Sequence, residues 1–144
     1  MAFDVSHDSV RPELDMAFRA SAGREVYSYV YKDAVVAVIC VAYCYGVPTT
    51  VVDLEQNYAV PSEADDDDRI VAVPYTVWSL RHGFGRSVVM AAIDHIKAIY
   101  PNVSRVVTLS PRTEMAKRFH LANGAKHISE NEESSNFEYA LVGR

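Results

Sequence analysis

The sequence is short of the residues that build specialised chains. Two cysteines in 144 residues cannot carry a disulfide framework. Cys40 and Cys44 lie four apart in one apolar run, which predicts two buried thiols and a cytoplasmic, reducing setting. Six glycines and six prolines exclude low-complexity and collagen-like classes. Basic charge is scarce. Against 19 Asp and Glu stand 14 Lys and Arg, a formal net charge of −5, which argues against a nucleic-acid backbone as partner. No apolar run approaches the roughly 20 residues of a membrane span. The longest, "AVVAVICVAYCYG", is full of β-branched and aromatic residues and predicts a buried strand. The opening "MAFDVSHDSV" lacks the apolar segment of a signal peptide. No histidine is paired with cysteine or carboxylate at ligand spacing, so no metal is expected. With no repeat and no linker, residues 1–144 read as one domain, long enough to bury a core.

What is present is a succession of periodic segments. "SHDSVRPELDMAFRASAG" predicts a helix capped by Ser9, with Pro12 in its first turn and Gly23 at its end. Leu14, Ala17, Phe18 and Ser21 form its expected inner face. Glu25–Tyr31 and Ala34–Tyr45 predict antiparallel strands about a Lys32-Asp33 turn, with Tyr27, Tyr29 and Tyr31 on one face. "TTVVDLEQ" predicts a short further strand. "NYAVPSEADDDDR" is a loop, and Asp65–Asp68 lack the alternating ligands and glycine of a calcium loop. "IVAVPYTVWS" is a strand in which Pro74 marks a bulge or an edge break in the ladder. Gly85–Tyr100 follows as a helix, its stripe made of Val88, Val89, Ala92, Ile93, Ile96 and Ile99. "RVVTLS" then reads as a buried strand of parallel type and "TEMAKRFHLANG" as a helix ended by Asn123-Gly124; "AKHIS" and "NFEYALV" close the chain as strands. The class is α/β (α+β), a mixed sheet in the order helix-β-β-(β)-β-α-β-α-β-β with a parallel pair across the strand–helix–strand unit.

The stretch "SLRHGFGRS", Ser79 to Ser87, places two glycines and two arginines where a strand hands over to a helix. The first N–H groups of that helix lack partners and the dipole turns its positive end toward the loop. Gly83 and Gly85 carry no Cβ, so a diphosphate has room to approach, and Arg81 and Arg86 add charge. A tight turn alone would use the same glycines. The loop has no lysine and the wrong spacing for a Walker loop, and Val88 stands where a dinucleotide fingerprint has its third glycine.

The loop resembles that of the Gcn5-related N-acyltransferase (GNAT) family, in which "V-x-x-x-x-R/Q-x-x-G-x-G/A" closes a strand and opens a helix. Gly83 and Gly85 stand in the glycine places and Val77 two residues past the valine place, while Leu80 occupies the Gln or Arg position and Arg81 comes one residue late. The family's later "N-x-x-A-x-x-x-Y-x-x-x-G-F" is similar to "TEMAKRFHLANGA", with Ala116 and Gly124 matching and Thr113, His120 and Ala125 departing. The resemblance runs from Ile70 to Val142. "TLSP" at 108–111 also looks like malonyl-CoA decarboxylases, which share this fold.

The resemblance implies acetyl-CoA or another acyl-CoA as co-substrate. The diphosphate would lie on Arg81, His82, Gly83, Phe84, Gly85, Arg86 and Ser87, and the pantetheine arm would run along Val77, Trp78 and Ser79 as an added strand. It implies acyl transfer to an amine acceptor, by a monomer or homodimer. His120, in the family's tyrosine position, is the expected proton donor to the departing thiolate, as an imidazolium with a pKa near about 6.5. Ser110, at the carboxyl end of "RVVTLS", and Glu55, on the expected third strand, are the further catalytic candidates. Two alternatives stand beside transfer: an acyl-CoA decarboxylase or hydrolase, suggested by "TLSP" and His120, and a binding protein that has lost turnover.

Overall fold

The computed structural model describes residues 16–61 and 70–141, with Asp8, Arg11 and Leu14 ahead of them. Ser9, Pro12 and Asp65–Asp68 lie outside the described residues. The β-branched runs form strands β1 (Arg24–Tyr31), β2 (Ala34–Tyr45), β3 (Ile70–Ser79), β4 (Val103–Val107), β5 (Ser110–Pro111), β6 (Lys126–Glu130) and β7 (Ser134–Tyr139). The helices are α1 (Met16–Arg19), α2 (Val51–Gln56), α3 (Phe84–Ile99) and α4 (Glu114–Ala122). One seven-stranded sheet has the order β1-β2-β3-β4-β7-β5, with β6 on β7. β3 and β4 are parallel, joined across α3, and the other pairs are antiparallel. β1 turns into β2 through Lys32 and Asp33, both left-handed (φ 50 and 64), the geometry that matches strand twist in a two-residue hairpin.

β2 is buried from Val36 to Cys44 because both faces of the sheet are covered. On one face Ile39, Val41 and Tyr43 meet the α3 stripe of Val89, Ile93 and Ile96. On the other, Val38, Cys40 and Cys44 pack with Leu54, Tyr75 and Trp78. Both cysteines are free and buried, and burial pushes each thiol up to about 11. Tyr27 and Tyr29 face α3, touching His95 and Phe84.

Three local expectations are corrected. "TTVVDLEQ" is helix, not strand: Asp53 N–H donates to Thr50 Oγ1 at 3.0 Å, while Thr49 N–H reaches back to Asp53 Oδ2 at 3.2 Å. These reciprocal cap bonds outweigh the strand preference of Val51 and Val52. "RVVTLS" is two strands, broken where Leu109 N–H leaves the β4–β7 ladder to donate to Pro74 O at 3.0 Å. Of the face expected around α1, Leu14 is buried and Phe18 packs against the core, but Ala17 is exposed and the polar Arg19 is buried. The Pro74 bulge is present, with Tyr75 as the extra residue between Val41–Pro74 and Cys40–Thr76.

Candidate active site

The sheet opens where β3 and β4 part. Their parallel pairing ends at Ala72–Val106, and Leu109 N–H to Pro74 O is one further rung. Beyond it β3 stays paired to β2 through Ser79, whereas the chain after β4 turns away to pair with β7 as β5. The bulge at Tyr75 and the antiparallel hold of β7 pull the two strands to opposite sides. A cavity of about 430 Å³ fills the gap, walled by the far half of β3, by Ser110 and Pro111, and by Thr113, Met115, Phe119 and His120 of α4 and its approach. Among the described residues that line it, none is Asp, Glu, Lys or Arg.

The mouth is the Ser79–Ser87 turn. Gly83 caps α3 with φ 89, left-handed, with no side-chain hydrogen bond to the helix N-terminus. A Cβ there would meet no atom within 4 Å, so the backbone conformation itself demands glycine. Gly85 is different. Its missing Cβ is filled by Phe119, whose Cε1 would lie 3.3 Å from it. This glycine lets α4 close on α3. Arg86 makes the same closure, donating from Nη1 to Ala122 O at 3.1 Å. Arg81 and His82 present exposed side chains at the turn, and Ser79 Oγ donates to Arg81 O within it.

His120 is buried and stacks on Phe137 at 5.2 Å. Burial pushes its pKa down to about 4, so at neutral pH it is an uncharged imidazole rather than the expected imidazolium. Its Nδ1 lies 2.7 Å from Tyr139 Oη, which accepts from Asn123 Nδ2 at 3.3 Å. Accepting from Asn123 leaves the phenolic proton available to Nδ1, and in that arrangement the ring carries its proton on Nε2. Burial also pushes Tyr139 up to about 12, so it stays protonated. Ser110 Oγ is 2.8 Å from Thr108 Oγ1, which already accepts the Phe137 N–H at 3.1 Å. Thr108 is therefore free to donate to Ser110, leaving the Ser110 proton for another acceptor.

The cavity brings together Val77, Trp78, Ser79, Gly85, Ser110 and His120 of the expected site residues. Arg81, His82, Gly83, Phe84, Arg86 and Ser87 form the adjoining turn and first helical turn. Glu55 does not join them; it is exposed on α2, where its carbonyl accepts from Arg24 at 3.0 Å. Sequence reading missed Thr113, Met115 and Tyr139. Tyr139 sits in β7, and only the closure of that strand beside α4 puts its hydroxyl on the histidine.

No protein-family model and no curated protein matches the sequence. Solved structures match the backbone. A malonyl-CoA decarboxylase from Rhodopseudomonas palustris superposes with TM-score 0.70 at 18% identity, over 96% of this chain and 56% of its own. A GNAT-family protein from Desulfovibrio desulfuricans gives 0.55 at 10% identity, over 83% of this chain and 70% of its own. NAA60 from Arabidopsis thaliana, solved with acetyl-CoA, gives 0.50 at 10% identity, over 73% and 65%. This chain spans little more than half the length of the decarboxylase. With the splayed mixed sheet and the glycine turn at α3, the chain has the GNAT fold.

Proposed function

We propose that the chain binds a coenzyme A thioester, diphosphate against the Ser79–Ser87 turn and acyl arm in the splay, and decarboxylates an acyl group bearing a carboxylate β to the thioester carbonyl. One observation carries the reading: Ser110 and an uncharged His120 line a cavity whose described lining has no ionised side chain. An amine acceptor arrives as an ammonium ion and must lose a proton, and the described lining offers no carboxylate to receive it. Losing CO2 needs no base. The bond between the carboxylate and the α-carbon breaks, and its electron pair passes into the thioester as an enolate. A compact anionic charge becomes a dispersed one, which a dry, neutral surround favours. Ser110 Oγ–H and His120 Nε2–H are the donors for the enolate oxygen. The α-carbon then takes a proton from water entering at the cavity mouth, which completes the shorter acyl-CoA and leaves hydroxide to solvent. The backbone likeness to a malonyl-CoA decarboxylase supports this substrate class.

A second reading, acyl transfer to an amine, rests on the likeness to a GNAT-family protein and to NAA60 with acetyl-CoA. The two differ in what they consume. Malonyl-CoA incubated without amine should give acetyl-CoA and CO2, read by mass spectrometry, and Ser110→Ala should lower the rate about 100-fold or more. Thiol release that requires an added amine would favour transfer. A melting point unmoved by CoA or acyl-CoA would end both readings, because ligand at about 100 times its dissociation constant adds about 2.7 kcal/mol.

A further inference from the structure

The splay has a brace behind it. Arg11, from the segment ahead of α1, reaches into the angle between the diverging strands. Its Nε donates to Tyr75 O at 3.4 Å and its Nη2 to Leu109 O at 3.2 Å. Leu109 O is the carbonyl that a continued parallel ladder would hand to an N–H of β3. A guanidinium takes it instead, one rung past the last backbone bond, Leu109 N–H to Pro74 O. Both carbonyls are satisfied without the strands closing on each other. Arg11 is itself held at its backbone: its N–H donates to Asp8 Oδ1 at 2.9 Å and its carbonyl accepts from Arg19 Nη2 at 2.7 Å. Asp8 and Arg19, both buried, form a 2.7 Å ion pair, and Thr76 Oγ1 of β3 donates to Asp8 at 2.7 Å. The network therefore grips β3 beside the cavity wall formed by Tyr75, Thr76 and Trp78.

We propose that Arg11 is a positioning residue that sets the width of the splay, and with it the seat of the pantetheine and acyl arm. This rests on the reading that a CoA thioester occupies the splay. Arg11 spans a fixed distance because its planar fork offers two donors to two carbonyls; lysine, a single point donor, can hold only one. The diphosphate turn lies at the far end of β3 and its geometry does not depend on Arg11.

The test compares two probes by titration calorimetry: acetyl-CoA, and 3′-phospho-ADP, which is the nucleotide half without the pantetheine arm. In the wild type acetyl-CoA should bind tighter than 3′-phospho-ADP. Arg11→Met should weaken acetyl-CoA about tenfold or more, the scale of losing two charge-assisted hydrogen bonds, and leave 3′-phospho-ADP unchanged. Arg11→Lys should fall between, and carries the test alone should Arg11→Met fail to fold. Variants that bind both probes like wild type overturn the inference. So does an equal loss of both probes accompanied by a lower melting point, which marks Arg11 as part of the general scaffold. A wild type that gains nothing from the arm also overturns it. A wild type that binds neither probe instead sinks the CoA reading on which it rests.

Discussion

Protonating His120 should cost the fold a defined amount of stability, in a defined pH window. The imidazole is buried between Phe119, Phe137 and Tyr139, and its folded pKa is pushed from 6.5 to about 4. Above pH 6.5 the histidine is neutral whether the chain is folded or not, and its contribution is fully present. As the pH falls through 6.5 the unfolded chain takes up a proton that the folded chain refuses until about 4. Stability therefore drains across that window and is fully lost below it. At about 1.4 kcal/mol per pH unit, the gap amounts to about 3 kcal/mol. Urea unfolding at several pH values between 7.5 and 4 measures it. His120→Gln, which keeps a polar partner for Tyr139 but has no titration, supplies the reference and cancels the carboxylates that titrate in the same range. The wild-type curve should converge on the variant curve by about 3 kcal/mol as the pH falls. Parallel curves, or an NMR titration placing His120 near 6.5, would refute the argument for a dry, neutral cavity floor.

Two further expectations concern packing behind and beside the site. Gly85→Ala should destabilise by about 1 kcal/mol, because Phe119 must retreat from a contact at 3.3 Å and this exceeds the helix preference for alanine. Adding Phe119→Leu should restore most of the loss in thermal unfolding. Asp8→Asn should cost about 3 kcal/mol or more, since it strips the buried Arg19 of its carboxylate, and a urea midpoint near wild type would contradict a buried pair.

The strands of this fold were legible because their signal is local. β2 and β3 fall at Ala34–Tyr45 and Ile70–Ser79, the limits their β-branched runs predict. In the α2 segment the strand preference of Val51 and Val52 conflicts with Thr50-x-x-Asp53, a capping spacing, and the cap prevails. His120 was legible as a site position through the family motif, but its charge was not. The fold buries the ring where Tyr139 and Phe137 of β7 give it a hydrogen bond and a stacking partner, and burial leaves it neutral. No pattern within α4 announces a partner on another strand. Arg11, Asp8 and Arg19 were invisible for the same reason, each finding its partners among carbonyls and side chains distant in sequence.

These same hidden contacts divide the work of the site. The elements that local sequence specifies, β3 and the glycine turn, supply backbone: an unpaired strand edge and a helix N-terminus, both suited to a nucleotide-linked arm of any acyl group. Backbone alone cannot choose a reaction. The choice falls to side chains fixed by tertiary contacts, among them Ser110 beside Thr108 and His120 beside Tyr139, both of which line the splay. Tyr139 is raised to about 12 and His120 lowered to about 4, so neither changes charge anywhere near neutral pH. A site tuned this way trades the ability to deprotonate an ammonium ion for a constant, uncharged set of donors. The activity it supports should accordingly stay level between pH 6 and 8, whereas a mechanism that draws its proton from an imidazolium would fade across that interval.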